Sequence, residues 1–450
     1  MMIAFLPIAR TTFDIPFAEA KTDDARRTLR ALIGDGITML DPGALITDMD
    51  GARAAASLLS EQPLDLVIVF QATFADSTLI TAITDATDAP ILLWAVCEPQ
   101  VGGRLRLNSF CGINLAAYAL KRRGIRYAHL YADPDDAGAA ATLQELFAAG
   151  RAVRLLRGAR VGVVGTRPDG FEPCDYDPAW LEGALGVKVY PYDLQTMFDR
   201  ADALKANDSA RLDARYTAVA GDLPNLAEMN NDQVRGTLSF YEAMGDTIHA
   251  DQLKGVAVRC WPETFLKRDC AICAASSMLT DRGIPASCEA DVNGAVSQLI
   301  LQSLSESPAF SADLVAADAQ TNTGVFWHCG LAPLSFCDPE AVPRAALHSN
   351  RQRPLLMEFP LKPGRVTLAR LTHAGDSGAH RLVIGSGEMI RAPMQFTGTS
   401  GVCRFDTPVS TVLDTILDKG LDHHFTLTYG DHSAALRRFA AFAGLEAIPL

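Results

Sequence analysis

The chain has 450 residues, 48% of them hydrophobic and 21% charged, a globular composition too long for one ordinary core, so two or three domains are expected. Its formal net charge of −13 excludes a general nucleic-acid-binding surface, because phosphate contacts need clustered Lys and Arg. No apolar run approaches the ~20 residues that span a bilayer as a helix. The ten cysteines are scattered along the chain, which suits reduced thiols in a cytoplasmic protein better than a disulfide framework.

Residues 3–8 read as a buried first strand, with no basic region or small-residue cleavage site to mark a signal peptide. Strands are expected again at 37–40, 65–70, 90–96 and 127–131, with helices at 20–32, 51–60 and 114–123. Continuous apolar strands alternating with amphipathic helices indicate a parallel sheet covered on both faces, hence a doubly wound α/β domain over residues 1–158. Polar residues follow these strands: Arg10 and Thr11, then Gln71, Thr73 and Asp76, then Glu98, Gln100, Arg104, Asn108 and Asn114. Ligands of open parallel sheets bind outside the carboxyl ends of the strands, so the set points to a small polar ligand. Each residue taken singly serves equally well as a helix cap or loop hydrogen-bonder.

A second α/β domain, 159–339, opens with Val161-Gly-Val-Val-Gly-Thr, a strand and a glycine turn. Gly162 and Gly165 do not complete the dinucleotide fingerprint, which disfavours nicotinamide binding. Helices are expected at 180–185, 194–206, within 207–233, and at 234–250, with a strand at 187–192. The stretch from Gly255 to Gly294 carries the most chemistry. Glu263 follows a β-like run and a proline, and Glu289 and Asp291 precede a helix expected at 295–304. Charges set among small and apolar residues need compensation, by a metal ion or a polar substrate. Between them a helix is expected at 269–283; its Cys270 and Cys273 lack a second ligand pair and read as packing. Downstream, His328 ends an apolar strand.

From about residue 340 the period changes, and short runs at 355–360, 364–372, 380–387 and 401–405 are separated by Pro-Gly, Asp376-Ser377-Gly378 and Thr-Ser-Gly turns. Such spacing predicts an antiparallel barrel or sandwich over 340–450. A helix at 409–419 precedes His423, His424 and His432, and a helix at 433–443 closes the chain.

Two carboxylates and an imidazole form a mixed N/O donor set, suited to Mn²⁺, with Mg²⁺, Co²⁺, Fe²⁺ or Zn²⁺ as alternatives. Such a metal polarises an α-hydroxy carbonyl while carboxylates move a proton between neighbouring carbons, which is the logic of aldose–ketose isomerisation. If the segment is extended, Glu289 and Asp291 point to one face, so Glu289 is open either as a partner that supports a ligand or as a rival ligand.

The chain resembles the L-fucose isomerase-like family, more distantly the L-arabinose isomerases, as a shorter and divergent branch. The likeness is carried by Asn108-Ser-Phe-Cys-Gly-Ile-Asn114, Arg259-Cys-Trp-Pro-Glu263, Cys288-Glu-Ala-Asp-Val-Asn-Gly294 and His423-His-Phe-Thr-Leu-Thr-Tyr-Gly430. The resemblance implies two Rossmann-like domains followed by a β-rich, barrel-like domain. It implies Mn²⁺ held by Glu263, Asp291 and His424, with Glu263 and Asp291 also the acid/base pair of an enediol mechanism. His423 replaces His424 as ligand if the register slips by one. Arg10, Gln71, Arg104, Asn108, Trp261, Asn293 and His328 are the expected substrate contacts. The expected substrate is a deoxyhexose, a pentose or a modified hexose such as a sulfonated sugar. A homo-oligomer is implied, expected as a hexamer, in which Arg10, Gln71 and Arg104 reach another chain's metal. The rival readings are a non-catalytic sugar-binding or sensor protein of the same fold, and, less favoured, a nicotinamide-dependent dehydrogenase.

Overall fold

The computed structural model describes residues 1–34, 36–373 and 380–450. The chain divides into two compact units, 1–155 with 434–445, and 156–433 with 446–450. In the first, strands β1 (Met2–Ile8), β2 (Thr38–Leu40), β3 (Leu66–Gln71), β4 (Ile91–Ala95) and β5 (Tyr127–Tyr131) form one sheet in the order β2-β1-β3-β4-β5. Every pairing is parallel. β3 and β4 are buried throughout, as expected of central strands covered by helices on both faces.

Three helices of this unit begin where aspartates cap them. Asp14, Asp48 and Asp76 each accept a backbone N–H in the first turn of Ile15–Leu32, Met49–Ser60 and Ser77–Thr84, satisfying donors that the helix itself leaves unpaired. The first therefore starts five residues before the expected 20, with Pro16 in its opening turn. Ser77–Thr84 and Ala137–Leu156 lie outside the expected set. The second is rich in alanine, which favours helix without marking an apolar face.

The second unit holds a parallel sheet of β6 (Arg160–Val164), β7 (Lys188–Tyr192), β8 (Gly255–Val258) and β9 (Ala286–Ser287), in the order β7-β6-β8-β9. It continues into β10 (Phe310–Asp318), β11 (Thr323–His328), β12 (Arg344–Ala346), β13 (Leu356–Pro360), β14 (Gly364–His373), β15 (His380–Ile390), β16 (Thr399–Phe405), β17 (His424–Tyr429) and β18 (Glu446–Pro449). Six of these close on themselves in the order β16-β11-β10-β17-β14-β15, each neighbour antiparallel, with β15 returning to β16. The fold is thus two parallel α/β sheets and an antiparallel barrel, as the resemblance implies.

The barrel takes in β10 and β11, so the change of period at residue 340 falls inside it. The helix expected at 269–283 is observed as the shorter Cys273–Asp281, and a separate helix, Glu263–Arg268, precedes it and ends at Asp269, whose φ of 54° is left-handed. The turn at Asp376-Ser377-Gly378 lies outside the described residues. Among the described residues no helix is long and apolar enough to cross a membrane.

Candidate active site

Three elements of the second unit supply the site. The loop after β9 turns sharply, with Glu289 and Ala290 both left-handed at φ 58° and 56°, a conformation costing non-glycine residues about 1–2 kcal/mol each. Asp291 then caps helix Val292–Ser305, its Oδ1 accepting the Gly294 N–H at 2.8 Å. β14 contributes Arg370, fully buried, which donates from Nη1 to Asp291 Oδ2 at 2.6 Å and from Nη2 to Oδ1 at 3.1 Å. β17 begins at His424, whose Nδ1 lies 2.9 Å from Asp291 Oδ2.

Four donors therefore meet Asp291, enough to occupy the roughly four lone-pair sites of a carboxylate. Gly294 is required here: a Cβ on it would sit 2.3 Å from Asp291 Oδ2 and 3.1 Å from Arg370 Nη1. Burial alone would raise the Asp291 carboxyl, but Arg370 and His424 outweigh it and hold it well below the usual range. An ionised Asp291 accepts from His424 Nδ1–H, so Nε2 is the ring nitrogen whose lone pair can face outward.

That lone pair faces negative groups. His424 Nε2 is 3.8 Å from Glu289 Oε2 and 3.6 Å from Asp313 Oδ1; Asp313 stands opposite His424 across β10 and β17. Asp313 Oδ1 is buried without a hydrogen-bond partner. Glu289 takes the Trp261 indole N–H on Oε1 at 3.1 Å, and His423 Nε2 lies 3.1 Å from its Oε2. Burial opposes ionisation of Glu289, yet the two histidines and the indole hold its carboxyl below the ordinary value. Donor atoms of Cys174, Glu289, His423 and His424 all lie within 4.8 Å of one another. Carboxylate oxygens and an imidazole lone pair at such range require a proton or a cation between them.

Residues 4–157 match the family described as fucose/sulfoquinovose isomerase, N-terminal domain, and residues 326–448 match L-fucose isomerase, C-terminal domain. The chain is 31% identical over 453 residues to a sulfoquinovose isomerase of Alkalicoccus urumqiensis, covering 100% of this chain and 99% of that one. It is 31% identical over 446 residues to the sulfoquinovose isomerase of Priestia aryabhattai, covering 99% and 98%. The one from a Clostridium species is 29% identical over 448 residues, covering 99% and 98%. The chain belongs to the fucose/sulfoquinovose isomerase family. It is a sugar isomerase.

Within this isomerase, the expected site residues are distributed unevenly. Asp291 and His424 meet directly, with His423 beside them. Glu263 opens helix Glu263–Arg268 and accepts from Arg259 Nε at 2.7 Å, lining a cleft of about 580 Å³ with Gly165, Thr166, Asp193 and Lys267. It is not among the four clustered donors. Trp261 reaches Glu289 as described. Asn293 is buried, donating to the Asp175 carbonyl at 3.0 Å, and His328 accepts the Cys329 N–H on Nδ1 at 2.8 Å with its ring 5.5 Å from that of His424. Nε2 of His328 and Oδ1 of Asn293 are buried without partners.

Arg10, Gln71, Arg104 and Asn108 belong to the first unit. There the Arg10 N–H donates to Thr73 Oγ1 at 2.8 Å, Gln71 Nε2 donates to the Ala75 carbonyl at 3.3 Å, and the Asn108 N–H donates to Glu98 at 2.9 Å. Arg104 is exposed in the loop before Asn108. These contacts fold the loops at the carboxyl ends of β1, β3 and β4.

Arg370, Asp313 and Cys174 were absent from the expected set. An arginine inside the apolar run Val366–Leu371 was the available signal for Arg370, since a charge among buried strand positions must be paired. Asp313 and Cys174 carry no comparable mark. The expected packing role of Cys270 and Cys273 leaves both thiols buried, with Cys273 Sγ 3.5 Å from Cys329 Sγ.

Proposed function

We propose that this isomerase interconverts a sulfonated aldose and its ketose through an enediol, using a divalent cation held by Glu289, His423 and His424. The observation that carries the reading is the convergence of those donors beside the unpartnered Asp313 Oδ1. An ionised carboxylate, two imidazoles and a second carboxylate oxygen fit a cation of the Mn²⁺ class, with Co²⁺, Zn²⁺ and Mg²⁺ as rivals. The Cys174 thiol, pushed up by burial, stands at the edge as a neutral group. Sulfoquinovose isomerases of full-length similarity support a sulfonated substrate.

When bound, the cation supplies Lewis acidity that polarises the sugar carbonyl and its neighbouring hydroxyl. The chain's own groups do the rest. Asp291 orients His424 by holding Nδ1–H, a positioning role whose loss in metal sites costs about 10–100-fold in affinity or activity. Glu289 would hold the cation through Oε2, beside His423, and its Oε1, oriented by the Trp261 indole N–H, takes the proton from C2 and returns it at C1. Phe171, with its ring 5.2 Å from that of Trp261 and 5.8 Å from that of His423, walls the site against water.

The motif-based alternative keeps Glu263 and Asp291 as the acid/base pair, and one experiment separates the two. Incubate the protein with Mn²⁺ and sulfoquinovose in D₂O and follow deuterium at C1 and C2 by NMR. Glu289→Gln should lower exchange at least ~10³-fold while Glu263→Gln keeps most of it, the range expected for a lost general base. Abolished exchange in Glu263→Gln with activity retained in Glu289→Gln would transfer the role to Glu263. No exchange by the wild type would remove the sulfonated-sugar reading.

A further inference from the structure

We propose that Arg351 recognises an oxyanion at C6 of the sugar, gripping the sulfonate while the carbonyl end lies at Glu289; the inference rests on the isomerase reading above. The Arg351 guanidinium stands 5.0 Å from the Trp261 ring centroid and 5.0 Å from that of Phe265. The same Trp261 donates its indole N–H to Glu289 at 3.1 Å. One indole thus connects the cationic group to the carboxylate at the reacting end.

Those two contacts place the guanidinium within about 10 Å of the Glu289 carboxylate, given the few ångströms across an indole. An extended open-chain hexose places a C6 sulfur about 7–8 Å from C1, from ordinary carbon–carbon bond lengths. A separation under that bound is one the sugar can bridge.

The neighbouring arginines are committed. Arg259 pairs with Glu263, Arg370 with Asp291 and Asp422, Arg353 with Asp269, and Arg167 with Asp175. Among the described residues Arg351 has no carboxylate within ion-pair distance; its polar neighbour is His348 Nε2, at 3.5 Å. It lines a groove of about 260 Å³ with Pro262, Phe265, Leu266 and Arg353, none of them acidic. A half-buried guanidinium between two aromatic faces, with its N–H edge unmatched by protein anions, is preorganised for a planar two-point grip on an oxyanion. A sulfonate is a monoanion throughout the physiological pH range and offers three acceptor oxygens. A neutral sugar would leave Arg351 unused.

The test compares the wild type with Arg351→Gln and Arg351→Lys on sulfoquinovose, glucose 6-phosphate and neutral 6-deoxyglucose, in kcat and KM. Arg351→Gln should lower the preference for an oxyanion-bearing sugar over 6-deoxyglucose about 100-fold, mostly through KM, as expected for loss of a charge-assisted, bidentate contact. Lysine, a point charge without the fork, should recover only part of it. Whichever of the sulfonate and the phosphate loses its preference on substitution is the natural oxyanion. An unchanged preference in Arg351→Gln overturns the proposal. If the wild type turns over none of the three sugars, the sulfonated-sugar reading has failed and tryptophan fluorescence takes over as the readout. Quenching by sulfoquinovose or glucose 6-phosphate that disappears in Arg351→Gln then supports the oxyanion site, and wild-type protein that shows no quenching by either refutes it.

Discussion

Replacing Arg370 with methionine isolates what a single buried guanidinium does for this site. Its side chain is fully buried on β14, bonds both oxygens of Asp291 at 2.6 and 3.1 Å, stands 3.2 Å from Asp422, and donates to the Pro173 carbonyl at 3.1 Å. Methionine keeps much of the length and apolar stem and removes the charge, which strands the buried Asp291 at its helix N-terminus with His424 as its remaining side-chain partner. Removing one partner of a buried ion pair costs about 3–5 kcal/mol, and the second carboxylate places this case at the upper end. The assay is urea unfolding of chelator-treated protein followed by circular dichroism, metal-free so that cation binding does not contribute to stability. Adding Asp291→Asn to Arg370→Met should recover part of the loss, because no uncompensated charge then remains at that position. A loss below about 1 kcal/mol in Arg370→Met, or a double variant whose losses simply add, would refute the view of Arg370 as the counter-ion that makes Asp291 tolerable.

The folded Asp291 carboxyl lies below its ordinary value of 3.8, so its ionised form stabilises the fold above about pH 4 and that contribution is lost as pH falls through the acid range; acid unfolding of Asp291→Asn should be shallower than that of the wild type, and equal slopes below pH 4 would contradict the assignment. Manganese affinity, titrated by electron paramagnetic resonance, should fall about 10–100-fold in Asp291→Asn through misorientation of His424 and stay near wild type in Glu263→Gln, which is paired outside the cluster. Gly294→Ala would press a methyl group against Asp291 and Arg370, so thermal unfolding should show a loss of about 1–3 kcal/mol.

The first parallel sheet was legible because β1, β3 and β4 are apolar almost throughout, and a strand buried along nearly all its length belongs inside a sheet covered on both faces. The barrel was harder to read at its beginning. β10 runs from buried Phe310 to exposed Asp318 through Ala-Asp-Leu-Val-Ala-Ala, alanine and aspartate being poor strand formers. Its place is decided by pairing with β11 and β17, contacts that local periodicity does not encode. For the same reason Asp313 was invisible: only the register of β10 against β17 sets it opposite His424.

The site itself turns on a local conformation that spacing misjudges. In an extended segment Glu289 and Asp291 would share a face, and either could then have been the ligand. Two consecutive left-handed residues, Glu289 and Ala290, break that alternation and send the carboxylates to different partners. Asp291 goes to a helix cap and to Arg370, which lies 79 residues further along the chain, while Glu289 goes to Trp261 and the two histidines. The motif Glu-x-Asp-x-Asn-Gly marks the place without saying which carboxylate does what, because the division depends on an arginine from another strand. A carboxylate whose lone pairs are already occupied acts most readily through the group it holds. On that physical ground the proposed proton transfer is given to Glu289, and the left-handed pair is the joint that sends the two carboxylates apart.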